Sequence, residues 1–156
     1  MIVADTSPLC YLVLIGCVDV LPVMFGRVEI PGAVRDELSA SDAPPPVSAW
    51  MARPPGWLGV YAVEYEPDAA LRRLHSGERE AIILAEQLGA DLIVLDEKLG
   101  RRVATGRGLR VTGTLGVLKE ASARGLIDLP SAVERLRQTT FRASPRLLQN
   151  LLKEHS

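Results

Sequence analysis

Four carboxylates, Asp5, Glu37, Glu78 and Asp96, carry the chemistry open to this sequence. Asp5 follows Met1-Ile2-Val3-Ala4, and Asp96 follows Leu92-Ile93-Val94-Leu95. A short apolar run of this kind reads as a strand buried on both faces. Each acid then stands at the carboxyl end of a strand, where open α/β sheets collect their ligands. A carboxylate is costly to bury there unless a cation pairs with it. Glu37 borders the helical face set by Val34 and Leu38. Glu78 falls in the first turn of a helix, where the dipole favours an acid. Oxygen-rich sites of this type select hard cations such as Mg2+ or Mn2+. Such a cation suits phosphoryl chemistry, and without it several close like charges force some groups to protonate. Glu97 can replace or supplement Asp96, and Glu80 is a second acid beside Glu78. His75 stands alone mid-chain and His155 lies on the tail, so no zinc set is placed.

The elements that must bring these acids together alternate along the chain. The reading has a helix from Pro8 to Ile15 capped by Ser7, a short helix after Asp19, and a strand at Val28-Glu29-Ile30. A helix follows from Gly32 to Leu38. Residues 41–56, with two proline clusters around Trp50-Met51, read as a loop with one helical turn. An edge strand over Trp57–Val63 and a short helix over Pro67–Leu74 come next. Ser76 caps a helix reaching Gly89, and the Asp96 strand precedes a helix from Glu97 to Thr105. A strand at 109–112 and helices over 113–123, 130–137 and 145–154 complete the chain, the last two announced by Asp128 and Ser144. Strands alternating with helices mean a parallel sheet covered on both faces, in one domain. The fold class is a three-layer α/β/α sandwich of about five parallel strands, with residues 129–156 as a helical extension.

Composition excludes more than it assigns. Apolar residues make up 47% and charged residues 24%, as in ordinary globular domains. No apolar run approaches the ~20 residues of a bilayer span, and the start has no basic, cleavable leader, so a cytoplasmic protein is expected. Cys10 and Cys17 lie on one apolar helical face and read as buried thiols. Net charge is −1 but divided: residues 1–97 hold 6 Lys/Arg against 15 Asp/Glu, residues 98–156 hold 12 against 4. An acidic pocket beside a basic surface suits a nucleic-acid backbone. The Gly-rich signatures of dinucleotide and P-loop sites are absent, as is the Gly-x-Ser-x-Gly elbow. Ser7 stands where an aspartyl-phosphate enzyme has its second Asp.

Five stretches in order resemble a PIN domain: 2–7, 30–38, 77–82, 91–98 and 111–118. They most resemble the bacterial and archaeal branch related to the VapC toxins. The resemblance implies a Mg2+- or Mn2+-dependent endoribonuclease that leaves a 5′-phosphate, with Asp5, Glu37, Glu78 and Asp96 catalytic. Asp5, Glu78 and Asp96 would hold the metal, supported by Thr6, Ser7, Glu97 and Thr112. Lys98, Arg101, Arg102, Arg107 and Arg110 are the candidates to hold the RNA backbone. Homodimers and a small antitoxin partner are also implied. The stripe Leu147, Leu148, Leu151 and Leu152 could pack at such an interface or on the chain's own core. Leu95 stands where many relatives have a small hydroxyl residue before the fourth acid.

Overall fold

The computed structural model describes residues 1–155, with the His155 side chain and Ser156 outside the described residues. Five strands form one parallel sheet: β1 (Ile2–Ala4), β2 (Val28–Pro31), β3 (Leu58–Tyr61), β4 (Leu92–Val94) and β5 (Val111–Thr112). Their order is β3-β2-β1-β4-β5, so the chain steps outward on one side of β1 and returns on the other. That reversal puts a topological switch point at the carboxyl ends of β1 and β4, the place where such sheets open a crevice. The register pairs Ala4 with Val94. The ladder runs past both strands, Asp5 donating its N–H to the Val94 carbonyl (2.9 Å) and Leu95 donating to Thr112 (2.8 Å). Asp5 and Asp96 therefore leave neighbouring strands at one edge.

Ten helices cover the sheet among the described residues: α1 (Thr6–Leu14), α2 (Val20–Phe25), α3 (Gly32–Leu38), α4 (Pro45–Ala52), α5 (Ala69–Arg72), α6 (Ser76–Leu88), α7 (Lys98–Gly106), α8 (Thr114–Ala123), α9 (Leu129–Arg137) and α10 (Pro145–His155). Alternation along the strands divides the core in two. Ile2, Ala4, Val28, Ile30 and Val94 face one apolar cluster, built with side chains of α1, α2, α4, α8, α9 and α10. Val3, Ile93 and Leu95 face the other, built mainly with α6.

Several boundaries differ from the sequence expectation. Helix α1 starts one turn position early, with Asp5 as its N-cap and Pro8 third in the helix, while Ser7 is exposed and caps nothing. Pro8 is tolerated there because the first-turn N–H groups have no intrahelical acceptor. His75, not Ser76, is the N-cap of α6. The proline-rich segment holds the eight-residue helix α4, with Pro45 and Pro46 in its first turn. Asp128 caps α9 by accepting from the Ser131 N–H, and the Ser144 hydroxyl accepts from Leu147.

The C-terminal helix docks on its own chain. Leu148 and Leu151 are buried against α8 and α9, whereas Leu147 stays 50% exposed. Removing a buried leucine side chain loses its transfer energy and leaves a cavity. Leu148→Ala is accordingly expected to lower unfolding free energy by about 2–4 kcal/mol. Leu147→Ala should change it by under ~0.5 kcal/mol. Urea unfolding of the two variants checks the difference, and equal effects would mean that α10 does not pack as described.

Candidate active site

Asp5 sits at the N-terminus of α1 and is 5% exposed. Burial, with smaller pushes from the charges of Glu78, Glu37 and Asp96, raises its pKa from 3.8 to about 7, against the pull of the Thr6 backbone N–H. Those three acids are the ones the sequence singles out with it, so the four share one electrostatic neighbourhood. Glu78 is buried in the first turn of α6, and one of its oxygens, Oε2, has no hydrogen-bond partner. Burial also raises its pKa, helped by Glu97 and Glu37, while the charge and backbone N–H of His75 oppose the rise.

Three glycines make room for these carboxylates. A Cβ on Gly77 would stand 2.1 Å from Glu37 Oε1 and 3.3 Å from Asp5 Oδ1, so no more than those two lengths together separates the oxygens. Glu37 thus reaches the site from the exposed last turn of α3 by lying over Gly77. A Cβ on Gly100 of α7 would meet Glu78 Oε2 at 2.6 Å. One on Gly113 would meet Asp96 Oδ1 at 2.7 Å and Arg101 Nη1 at 2.8 Å.

Asp96 is the most firmly held of the four. Its Oδ1 accepts from the Thr114 N–H (2.7 Å) and its Oδ2 from the Thr114 hydroxyl (2.6 Å). Each oxygen keeps a further lone pair. Thr114 is fully buried at the first position of α8, so Asp96 caps that helix from another element. Sequence reasoning missed Thr114, although it lies within the stretch 111–118. The available signal was a hydroxyl residue opening a helix straight after a strand that neighbours the acid. Thr112 lies instead against Gly116. Thr6 opens α1 with its hydroxyl buried and unpartnered, and Glu97 is the exposed N-cap of α7. Glu80 is engaged elsewhere, accepting from the Ala33 N–H.

The basic residues divide. Lys98 opens α7 at the acidic edge, and Arg101 donates to the Leu95 carbonyl (3.0 Å). Arg102 is exposed on the same helix. Arg107 is bound to Asp68 (2.7 Å) and Glu86 (2.8 Å). The charge of Arg110 acts on Asp91, which pairs with the chain's amino group ahead of β1 and β4, at the end of the sheet away from the acids. A further buried acid, Glu29, pairs with Arg27 (3.1 Å) and lies against Gly59. Cys10 and Cys17 are free thiols, both pushed up in pKa by burial.

Among the described residues, no three His, Cys, Asp or Glu side chains stand close enough together to hold a metal ion as they are. The donor set is nevertheless all oxygen, with a buried Glu78 carboxylate oxygen left unpartnered and the Asp5 carboxyl raised in pKa to about 7. Those features fit a hard divalent cation.

Fold and site together define an open parallel α/β protein with an acidic crevice at its switch point. A family model described as a PIN domain matches residues 1–156, and the chain belongs to that family, a nuclease-type module. Comparison with curated proteins and with solved structures gives no match.

The raised pKa of Asp5 makes stability depend on pH. Between about 4 and 7 the folded chain keeps a proton that the unfolded chain has released, so stability falls as pH rises through that window. Asp5→Asn removes the penalty. In EDTA near pH 8 the variant is expected to be more stable than wild type by roughly 2–4 kcal/mol, with the two converging below about pH 4. Thermal melts across that range check this, and a pH-independent difference would contradict it.

Proposed function

We propose that the chain is a Mg2+- or Mn2+-dependent endoribonuclease that hydrolyses RNA phosphodiesters. The observation that carries this reading is the convergence of Asp5, Glu37, Glu78 and Asp96 at one sheet edge, where burial and, to a smaller extent, the acidic neighbours raise the pKa of Asp5 to about 7. Asp5, Glu78 and Asp96 are the residues that would hold the ion. A bound divalent ion supplies charge neutralisation at phosphorus and a water of lowered pKa. The protein's own part is to place and orient. Thr114 fixes the direction of Asp96, and Gly77 lets Glu37 approach Asp5. Glu37 is the exposed acid of the four and reaches the edge from the solvent side. Arg101 and Lys98 offer positive charge to a phosphate backbone at the same edge.

The chain's resemblance to the VapC branch supports a role as toxin of a toxin–antitoxin pair, working in the cytoplasm as a homodimer with a small antitoxin covering its groove. No helix among the described residues is long and apolar enough to cross a membrane. A short reading frame for a small protein immediately upstream would support the pairing. A second reading, a PIN fold that binds RNA or protein without cutting, is favoured by the lack of three acids already within metal-binding distance.

Cleavage of a labelled RNA separates the two. With Mn2+ or Mg2+ the wild type is expected to cut, and EDTA or Asp5→Asn should lower the rate by at least ~100-fold, since even outer partners of metal ligands are worth about 10–100-fold. RNA binding without cutting in either metal would favour the binding module. Thr114→Val keeps the side chain's shape and the backbone N–H bond to Asp96 Oδ1 while removing the hydroxyl bond to Oδ2. It is expected to lower cleavage by about 10–100-fold with the fold intact by circular dichroism. Unchanged cleavage would mean that the Thr114 hydroxyl does not orient Asp96 for the reaction.

A further inference from the structure

The acidic edge continues into a cavity of about 350 Å3 that the site residues leave unexplained. It runs from Asp96 and Arg101 along Gly113 and the first turn of α8 to the segment joining α9 and α10, where Phe141 and Arg142 line it, and to Leu147 of α10. Its size falls within the range of small-ligand sites, about 300–1,000 Å3. Three observations describe what it would accept. The Phe141 ring is held edge-on to Tyr11 at 5.1 Å, so an aromatic wall is fixed in advance. Leu147 is one of the few large apolar side chains left half exposed, and it is exposed here. Arg142 has no ion-pair or hydrogen-bond partner among the described residues, in contrast to the paired Arg107.

We propose that this cavity is a subsite for a nucleotide of single-stranded RNA adjoining the bond to be cut. In it Arg142 contacts a backbone phosphate and the base lies against the Phe141–Leu147 wall. Unpaired cations beside a fixed apolar and aromatic wall are the recurring means of holding single strands without reading their sequence. Asp96, Arg101 and Thr112 lie over the bare backbone of Gly113 and Gly116 in the floor, and Asp96 marks the end nearest the other acids. The inference rests on the ribonuclease reading for the meaning of "adjoining". The binding chemistry does not depend on it. Arg142 acts here as a positioning residue.

The test measures binding and cleavage separately. A fluorescent ten-nucleotide single-stranded RNA is titrated into the full chain carrying Asp5→Asn, with and without Arg142→Ala, over a range of salt. Cleavage of the same RNA with Mn2+ is followed in wild type, Arg142→Ala, Arg142→Lys and Arg137→Ala. Arg142→Ala is expected to weaken binding roughly tenfold, about the worth of one charge-assisted hydrogen bond. It should also flatten the salt slope by about 0.7, the loss of one single-strand phosphate contact. The cleavage loss should appear in KM with kcat nearly kept, Arg142→Lys should recover part of it, and Arg137→Ala should match wild type. Unchanged affinity and salt slope in Arg142→Ala, with wild type cutting RNA, would overturn the subsite and leave the nuclease standing. RNA that is bound through Arg142 but never cut would retain the subsite and overturn the nuclease. Binding of an acidic peptide in place of RNA would overturn the proposal.

Discussion

The constraint on which the molecule depends is electrostatic: negative side chains must be kept at one sheet edge that is partly closed to water. Taking an unpaired carboxylate out of water is expensive, and proximity of like charges adds to the cost. The doubly wound topology supplies part of the compensation. In a parallel sheet each helix that follows a strand begins at the carboxyl edge, so α1 starts beside Asp5, α7 beside Glu97 and α8 beside Asp96. Helix α6 likewise starts just ahead of Glu78. Each helix start offers unpaired N–H groups and a partial positive charge to an acid. The compensation is unequal. Asp96 receives two hydrogen bonds from Thr114, whereas Glu78 retains an oxygen with none and Asp5 is pushed towards neutrality.

Backbone proximity is the second requirement, and glycine meets it. Gly77 follows the N-terminal residue of α6, Gly100 lies inside α7 and Gly113 caps α8, none of them at positive φ. Their role is not turn geometry. Each removes a Cβ from a spot where a carboxylate oxygen stands, so the packing distance between helices and sheet sets the spacing of the charges. A helix-interior glycine costs roughly 0.5–1 kcal/mol relative to alanine, a penalty that Gly100 bears where Glu78 needs the space.

The strands and two of the acids, Asp5 and Asp96, were legible in the sequence because burial of a central parallel strand demands an uninterrupted apolar run, and an acid after it breaks the pattern. Both Asp5 and Asp96 stand out on that ground alone. Glu37 and Glu78, on helices, were picked out by the resemblance to the PIN domain. What escaped the sequence were contacts between elements far apart in the chain. Ser7 and Ser76 are good caps by residue type, yet each helix begins one or two residues earlier, because the Asp5 N–H completes the ladder to Val94 and the chain turns into α1 directly after it. The hydroxyl that orients Asp96 comes from Thr114, eighteen residues away, and only pairing of β4 with β5 brings it there. Charge counting failed in a similar way for Arg107 and Arg110. Both belong to the basic half, but one is held by Asp68 and Glu86 and the other lies beyond the opposite end of the strands.

The unequal satisfaction of the acids has a mechanical meaning. A carboxylate fixed by two hydrogen bonds gives direction and position, but it gains little from a new partner. A buried oxygen without a donor, or a carboxyl whose pKa burial has raised, gains a great deal when a cation arrives. Asp96 is therefore the most firmly held acid of the edge, and under the metal-dependent reading proposed above Asp5 and Glu78 are the acids that would gain most from a cation. The exposed Glu37 is the fourth member and the one least constrained by packing, since it reaches the edge over Gly77 from a surface helix. Under that reading such an edge is less stable without its cation than with it, the usual relation between a strained site and its function. Glu29, buried to a similar degree and also with one oxygen left without a hydrogen bond, differs in having Arg27 paired with its other oxygen.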